Sequence, residues 1–297
     1  MPELPEVETV RRGLQPALEG ARLSGLRLHR ANLRYPFPDN FAAYLEGATV
    51  TRLERRAKYL LFHLQSPTEG PLVWVTHLGM TGRFQVTDPD GTGFALDGNY
   101  YHATRSDAKH LHVQVLAHKD GVTRLIDYYD PRRFGFMWLL PRDALEHERW
   151  YQSLGIEPLS NHFNADWLHT AFGGRSTGLK ALLMDQSLIS GLGNIYVCEA
   201  LWRAGLSPDA RGDSLNATRA ADLSRAIREV LEDAVAAGGS SISDFASASG
   251  ELGYFQHRFK VYDRENDPCL REGCAGHVVR KTHSGRSTFY CAVCQTA

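Results

Sequence analysis

Hydrophobic and polar residues alternate along the first half of the chain in short runs that are separated by turns. The runs cover 23–28, 59–64, 72–76, 112–117, 123–128 and 134–140. So many short strands at this spacing predict a sandwich or a barrel. A different period precedes them, since Val7, Val10, Leu14 and Leu18 recur every three or four residues behind Pro5. This spacing predicts an amino-terminal helix that begins just after the first residues.

The pattern changes to helical spacing beyond Pro141. The clearest helical spacing occurs in a set of apolar residues that is followed by the glycine pair 238–239. Such a pair is typical of a helix end. The apolar residues of the set are Leu223, Ile227, Val230, Leu231, Ala234 and Val235. Two shorter helices, 179–185 and 194–204, are predicted on either side of the glycine-rich segment 190–193. We therefore expect a helical second domain that contains a helix-turn-helix element with a long turn.

Composition narrows the class of protein. The 297 residues are 43% hydrophobic and 23% charged, which is ordinary for a globular chain of about two domains. Apolar runs such as 59–62 and 72–75 fall far short of the roughly 20 residues that a membrane helix needs. Residues 1–6 have neither the positive charge nor the apolar core of a secretory signal. We expect a cytoplasmic protein that does not span a membrane.

Four of the five cysteines lie close together near the end of the sequence. Four residues separate Cys269 from Cys274, 16 separate Cys274 from Cys291, and two separate Cys291 from Cys294. Two thiolate pairs about one hairpin apart suit the four tetrahedral bonds of a zinc ion. Because the protein would supply all four ligands, we expect a structural zinc ribbon and no catalytic metal. The fifth cysteine, Cys198, is expected to be a small buried helix residue.

The overall charge gives no reason to expect a nucleic-acid partner, because 33 Lys and Arg residues are balanced by 34 Asp and Glu residues. A local cluster of basic residues does give a reason to expect such a partner. Arg280, Lys281 and Arg286 lie between the two cysteine pairs, and no acidic residue follows Glu272. A rigid basic hairpin suits contacts with phosphates or a groove, and a solvated charged loop is the alternative interpretation.

The amino terminus offers a candidate nucleophile. A small second residue such as Pro2 normally allows Met1 to be removed, which would expose a secondary amine. A terminal amine has a pKa of about 8, and the positive end of the following helix lowers it further. Such an amine could attack a sugar C1′ and form an iminium with the opened ring. Many sequences begin with Met-Pro, however, so Pro2 alone does not indicate a nucleophile. Glu3 and Glu6 could be ordinary acidic residues of a first helical turn.

Seven sequence blocks, in order along nearly the whole chain, resemble those of bacterial formamidopyrimidine-DNA glycosylases. The blocks are MPELPEVETVRRGL at 1–14, RRAKYL at 55–60, HLGM at 77–80, DPRRFG at 130–135, GNIY at 193–196, GYF at 253–255 and GRSTFY at 285–290. The resemblance implies a two-lobed α+β protein with DNA bound in the cleft between the lobes. Its parts would be a β-sandwich with an N-terminal helix at 1–140, a helix-two-turn-helix DNA-binding domain at 141–262 and a zinc finger at 263–297.

The same resemblance implies the reaction. The protein would be a bifunctional glycosylase and abasic-site lyase that removes 8-oxoguanine and formamidopyrimidines from double-stranded DNA and cleaves the strand by β,δ-elimination. Pro2 would be the nucleophile, Glu3 the proton donor near the sugar, and Lys58 a further proton donor and phosphate contact. We expect a monomer that carries one structural Zn²⁺.

The resemblance also implies how the DNA is held. Met80, Arg132 and Phe134 would fill the gap left by the flipped nucleotide, with Arg132 facing the orphaned cytosine. A thioether, a planar guanidinium and an aromatic ring suit this task because they replace stacking surface. The alternative interpretation is that the side chains of Met80 and Phe134 pack in the hydrophobic core. The implied phosphate contacts are His110, Lys180, Asn194 and Arg286. At a helix start, Asn194 can also serve as an N-cap.

Three features depart from the family pattern. The first cysteine pair has four intervening residues where two are commoner, which should enlarge one knuckle without removing a ligand. Glu251 stands where family members often have a basic residue, in the loop that the resemblance places over the flipped base. The segment 88–106 is an insertion whose composition is typical of a long exposed loop, and no role is assigned to it.

Two alternative functions remain open at this point. One is an endonuclease VIII-like enzyme for oxidised pyrimidines, a group that typically has Gly at the position of Leu4 and lacks the Arg132 and Phe134 pair. The other is a catalytically silent binder of damaged DNA, which would be expected to lose Pro2, Glu3 or Lys58. Because this chain keeps all of these residues, the purine-specific glycosylase is the preferred hypothesis.

Overall fold

A computed structural model describes three stretches of the chain: 2–89, 108–240 and 254–297. Most of the segment 88–106, and Glu251, therefore lie outside the described residues. The chain divides into two compact units: Met1–Gln152 with Ala237–Tyr254, and Ser153–Ala236 with Phe255–Ala297. The division into domains at 140 and 262 stays a prediction.

The first unit is built on an antiparallel sheet that has eight strands within the described residues. These are β1 (Arg22–Leu28), β2 (Thr49–Arg56), β3 (Tyr59–Ser66), β4 (Gly70–His77), β5 (Arg83–Thr87), β6 (Leu111–Lys119), β7 (Val122–Tyr129) and β8 (Phe136–Pro141). Their order in the sheet is β5-β7-β6-β1-β2-β3-β4-β8. Phe84 on β5 nevertheless lies 5.8 Å from Phe62 on β3, measured between ring centroids. The sheet therefore curls until β5 packs over β3, and both end strands contribute to one core through Phe84 and Met137, as the predicted sandwich requires.

All six predicted strands are present, and the structure adds β2 and β5. Charged side chains dominate β2, where Val50 and Leu53 are buried but lie three residues apart because a bulge interrupts the alternation. Only two alternating positions of the short β5 are buried, which is too weak a pattern to detect. The predicted strand 134–140 begins at Phe136 instead, since the residues before it belong to a loop described below.

Three α-helices are described in the first unit: α1 (Leu4–Leu18), α2 (Phe41–Leu45) and α3 (Arg149–Gln152). The first confirms the predicted amino-terminal helix, because its apolar residues are fully buried in the core of the sheet. An ion pair of 3.3 Å between Glu8 and Arg55 also joins α1 to β2. These contacts fix the amino terminus of the chain against the strand that leads to Lys58.

The second unit contains α4 (Ala165–Phe172), α5 (Leu179–Met184), α6 (Asn194–Ala204), α7 (Ala217–Ala236) and a hairpin of β9 (Val278–His283) and β10 (Arg286–Cys291). The Gln186 side chain organises the turn between α5 and α6. Its Nε2 donates to the Leu192 carbonyl at 2.8 Å, and its Oε1 accepts from the Gly191 N–H at 3.0 Å. The predicted helix-turn-helix element and the long helix α7 are thus confirmed. No helix among the described residues is long and apolar enough to cross a membrane.

The carboxyl-terminal hairpin shares a hydrophobic cluster with α6. Val278 of β9 and Phe289 of β10 pack with Val261 and with Cys198 of α6, which is 1% exposed as predicted. Glu199, the next residue of α6, accepts hydrogen bonds of 2.9 to 3.1 Å from the backbone N–H groups of residues 260–262. The hairpin therefore packs on α6 through apolar contacts, and the segment that precedes it is attached to the same helix through hydrogen bonds.

Candidate active site

A reciprocal pair of hydrogen bonds closes the amino-terminal end of α1. Glu3 is the N-cap and its side chain accepts from the Glu6 N–H, while the Glu6 carboxylate accepts from the Glu3 N–H at 2.8 Å. The other Glu6 oxygen accepts from the backbone N–H and the hydroxyl of Ser240, at 2.8 and 2.9 Å. Pro2 and Glu3 are both buried. The predicted nucleophile and proton donor are thus adjacent residues on a fixed helix end.

Glu6 is a structural residue of this helix end that sequence reasoning missed. A glutamate at the third helical position is a capping-box signal, and it was interpreted only as a first-turn acid. Gly239 approaches it closely, because a Cβ atom there would lie 3.2 Å from Glu6 Oε1 and the residue has a φ of +79°. Glycine is therefore needed at this point for Ser240 to reach the carboxylate.

Lys58 lies in the tight turn between β2 and β3 and is 7% exposed. Burial, together with the positive charges of Lys58 and Arg34, lowers the pKa of the neighbouring His77 to about 4. The imidazole is therefore neutral at physiological pH, and its Nδ1 accepts from the Gly79 N–H at 3.0 Å. His77 thus connects the surroundings of Lys58 to the loop that follows β4.

Two loops carry the three predicted gap-filling residues: 78–82 after β4, and 130–135 before β8. Their backbones are in direct contact, since a Cβ atom on Gly79 would lie 2.3 Å from the Gly135 nitrogen. Gly79 also has a φ of +63°, so both its conformation and its surroundings exclude a side chain. Residues that are distant in sequence are thereby placed side by side.

The predicted gap-filling side chains are accessible on these loops. Arg132 is exposed, and its guanidinium carbon lies 4.9 Å from the centroid of the Phe134 ring. Phe134 is 47% exposed, so the core interpretation of this ring is wrong. Met80 is partly buried. The backbone carbonyl of His110 accepts from the Asp130 N–H at 3.1 Å, which places a predicted phosphate contact beside the same loop.

Thr81 joins the two loops through its hydroxyl group. It donates to Asp130 Oδ1 at 2.5 Å and accepts from the Arg132 N–H at 3.1 Å. The second oxygen of Asp130 accepts from the Gly135 N–H at 2.8 Å. Thr81 and Asp130 are buried. Sequence reasoning missed Thr81, since nothing in its neighbours along the chain indicates a partner in a distant loop.

Replacing Thr81 with Val should therefore lower the free energy of unfolding by about 1–3 kcal/mol, because the shape is kept while the buried Asp130 carboxylate and the Arg132 N–H lose their partner. Thr81→Ser retains the hydroxyl and serves as the control. Denaturant unfolding of both variants measures the difference. Equal stability of Thr81→Val and Thr81→Ser would contradict the assigned role of the hydroxyl.

Polar contacts in the second unit converge on the backbone of Ser287 in β10. Its carbonyl accepts from Asn194 Nδ2 at 2.8 Å and from Lys180 Nζ at 3.3 Å. Lys180 also donates to the Thr288 hydroxyl and is 3% exposed. Helices α5 and α6 thus both hold the same strand of the hairpin.

Three predicted phosphate contacts therefore lie near one another in this unit. Arg286 is exposed at the start of β10, next to the residue that Lys180 and Asn194 hold. Asn194 is the first helical residue of α6, and the N-cap is Gly193. The N-cap interpretation of Asn194 is wrong, because its amide points to β10 rather than to its own helix end.

The four carboxyl-terminal cysteines form a compact cluster. Their sulfur atoms all lie within 4.8 Å of one another, and the Cys269–Cys294 and Cys274–Cys291 sulfurs are 3.7 Å apart. Four metal–sulfur bonds of about 2.3 Å in a tetrahedron would separate the sulfurs by about 3.8 Å. The cluster can therefore hold one metal ion, and the enlarged first knuckle keeps both of its ligands.

Comparisons with known proteins agree with this arrangement. Residues 1–137 match the family profile of the formamidopyrimidine-DNA glycosylase N-terminal domain, and residues 154–246 match that of its H2TH domain. The formamidopyrimidine-DNA glycosylase of Caulobacter vibrioides (strain NA1000 / CB15N) is 51% identical over 295 residues, which cover 99% of this chain and 100% of that protein.

Two solved structures are similar over almost their whole length. The crystal structure of the MutM (Fpg) protein of Thermus thermophilus has a TM-score of 0.78 and 37% identity, covering 99% of this chain and 98% of that one. The Lactococcus lactis Fpg in complex with DNA containing an abasic site has a TM-score of 0.80 and 29% identity, covering 99% of this chain and 100% of that one. Together with the fixed amino terminus, the paired loops and the cysteine cluster, these matches show that the chain belongs to the formamidopyrimidine-DNA glycosylase family.

Proposed function

We propose that the protein is a bifunctional DNA glycosylase and abasic-site lyase of base excision repair, acting as a monomer on oxidised purines in double-stranded DNA. The observation that carries this proposal is the buried Pro2–Glu3 end of α1, which Glu6 and Ser240 hold in one position. A nucleophile and a proton donor need such a fixed arrangement to act on one sugar. A DNA substrate would also place the protein in the bacterial cytoplasm.

In the proposed reaction, removal of Met1 frees the Pro2 nitrogen, which attacks C1′ of the damaged nucleotide. The bond from C1′ to the base breaks, and the base leaves with the electron pair and takes up a proton. Glu3 gives a proton to O4′ as the sugar ring opens, which leaves an iminium between Pro2 and C1′. Loss of the C2′ proton then allows the 3′ phosphate to leave, and a second elimination releases the 5′ phosphate. Lys58 assists as a proton donor and phosphate contact.

The base must leave the duplex before Pro2 can reach its sugar, which costs a few kcal/mol in stacking and pairing. We propose that Met80 and Phe134 replace the lost stacking and that Arg132 pairs with the orphaned cytosine. The cation–π contact between Arg132 and Phe134 supports this, because it aligns the guanidinium with the ring before DNA binds.

Phosphate contacts are proposed for His110, Arg286, Lys180 and Asn194. Arg286 is the exposed member of the group in the second unit. Lys180 and Asn194 donate to the hairpin strand, and these bonds support a further task for both, which is to hold in place the strand that carries Arg286. Phosphate contact by Lys180 would require its buried nitrogen to exchange these partners.

We propose zinc as the metal of the cysteine cluster. Four thiolates with tetrahedral spacing favour Zn²⁺, and no ligand position remains for water. Cys269, Cys274, Cys291 and Cys294 would hold the ion, which would make the hairpin rigid and take no part in the chemistry.

Borohydride trapping on duplexes that carry one defined lesion tests the function. The protein with a free Pro2 should form a covalent adduct with 8-oxoguanine and formamidopyrimidine duplexes, whereas a form with one extra residue before Pro2 should form none. The added residue turns the nitrogen into an amide without a lone pair to donate. Adducts only with oxidised pyrimidines would favour the endonuclease VIII-like alternative. Absence of any adduct, including one with an abasic site, would leave a silent binder.

Replacing Arg132 with Ala should reduce the preference for cytosine over adenine opposite 8-oxoguanine by roughly 5- to 150-fold, since a bidentate contact discriminates by about 1–3 kcal/mol. Orphaned cytosine presents O2 and N3 as acceptors to the guanidinium fork, and adenine presents a different pattern. Phe134→Ala should slow excision opposite cytosine and opposite adenine to the same extent, because a stacked ring does not distinguish the hydrogen-bonding groups of the two bases. Excision rates on the two duplexes give the ratio of activity opposite cytosine to activity opposite adenine. An unchanged ratio in Arg132→Ala would show that Arg132 does not recognise the opposite base.

A further inference from the structure

Arg271 lies in the enlarged knuckle of the cysteine cluster, the feature that departs from the usual spacing of the family. Its backbone N–H donates to Cys269 Sγ at 3.5 Å, and its side-chain Nε donates to Cys294 Sγ at 3.3 Å. One residue therefore bonds to a ligand of each cysteine pair.

The same guanidinium reaches the last turn of α6. Its Nη2 donates to the Trp202 carbonyl, and its central carbon lies 4.9 Å from the centroid of the Trp202 ring. Trp202 contributes a bond of its own, since its indole Nε1 donates to Cys269 Sγ at 3.4 Å. The cluster, the knuckle and the carboxyl-terminal end of α6 thus form one connected set of contacts.

Charge explains what these contacts can do. Zn²⁺ binds cysteine as the thiolate, so a site filled by four cysteines carries two negative charges. A guanidinium in contact with one sulfur stabilises that charge. N–H groups that donate to thiolate sulfurs act in the same direction, as outer-sphere partners do in other metal sites.

We propose that Arg271 and Trp202 are positioning residues for the metal, and that they couple metal binding to the end of α6. This inference rests on the proposed zinc site and goes beyond it. The same helix begins at Asn194, which holds β10 of the hairpin. A filled cysteine cluster would therefore add an attachment at the carboxyl-terminal end of α6 to the one that Asn194 makes at its beginning.

Zinc release provides the test. Purified full-length protein is first analysed for zinc, and the rate of transfer of Zn²⁺ to a chromogenic chelator is then measured. Arg271→Ala should lose zinc roughly 10-fold faster than the parent protein, given the usual effect of an outer-sphere partner. Trp202→Phe keeps an aromatic ring under the guanidinium and removes only one N–H donor, so a smaller change of about 2- to 5-fold is expected.

Arg280→Ala is the matched control. Arg280 lies on β9, and like Arg271 it has its guanidinium near an aromatic ring, at 5.9 Å from the Phe289 centroid. Its Nε donates to the Ser287 hydroxyl rather than to a sulfur. Its replacement should leave zinc release unchanged. Arg271→Lys should give an intermediate rate, because one ammonium cannot reach both Cys294 and the Trp202 carbonyl.

Cobalt substitution supplies a spectroscopic measurement that would not change if Arg271 and Trp202 had only a structural role. Loss of an N–H donor raises the energy of the sulfur lone pairs, so the thiolate-to-Co²⁺ charge-transfer band should shift to longer wavelength in Arg271→Ala and Trp202→Phe. Release at the parent rate with an unshifted band in both variants would overturn the proposal. Equal acceleration by Arg280→Ala would overturn it as well. A parent protein without stoichiometric zinc would instead overturn the proposed zinc site.

Discussion

Replacing Glu3 with Gln is expected to slow base excision by about 10²- to 10⁴-fold and to leave the affinity for lesion DNA nearly unchanged. The amide cannot transfer a proton to the sugar, but its oxygen can still accept the Glu6 N–H that closes α1. The substitution therefore separates proton transfer from helix capping. Single-turnover excision of 8-oxoguanine and equilibrium binding of the same duplex measure the two effects.

Glu6→Gln is the matched control, because it changes a buried carboxylate of the same turn that accepts backbone N–H groups and has no assigned role at the sugar. Glu6→Gln should lower the free energy of unfolding by about 1–3 kcal/mol, since one backbone N–H donor would face the NH₂ group of the amide. Excision by Glu3→Gln at the parent rate would remove Glu3 from the role of proton donor. A loss of lesion binding as large as the loss of excision would indicate a collapsed helix start instead.

Removal of the metal should abolish DNA binding while the sheet of the first unit and the helices of the second unit stay folded. The hairpin has few buried apolar residues of its own, whereas the curled sheet and the helices have separate cores. Zinc contributes about 10–16 kcal/mol to folding in small zinc-finger peptides, so a chelated hairpin should lose its structure. Arg286 would then lose its fixed position at the start of the strand that Lys180 and Asn194 support. Circular dichroism and DNA titration of the chelated protein measure the two outcomes.

Arg286→Ala serves as the partial comparison for metal removal. It should weaken binding and reduce the salt slope of the affinity by about one unit, as expected when one phosphate contact is lost. If the chelated protein bound lesion DNA with full affinity, the hairpin would not belong to the DNA site.

Parts of the fold that depend on neighbours along the chain could be predicted from the sequence. Helices α1 and α7 follow from apolar residues at helical spacing, and the cysteine cluster follows from the spacing of its ligands. Strand β2 could not be predicted in the same way, because a bulge and four charged side chains hide its buried residues. Helix capping by Glu6 was visible as a motif, but its bond to Ser240 connects residues 234 positions apart.

The sequence by itself determined which chemistry is present: a secondary amine after Met1, an adjacent carboxylate, four thiols at metal-binding spacing and the family's motifs. Tertiary structure decided how these groups are held. The Thr81 hydroxyl meets Asp130 and Arg132 across 49 and 51 positions, Asn194 meets Ser287 across 93, and Arg271 meets Trp202 across 69. Periodicity and spacing report only on residues that are close in sequence. Contacts between distant loops depend on how complete elements pack, and a single hydroxyl or guanidinium carries no sign of its partner until the chain has folded.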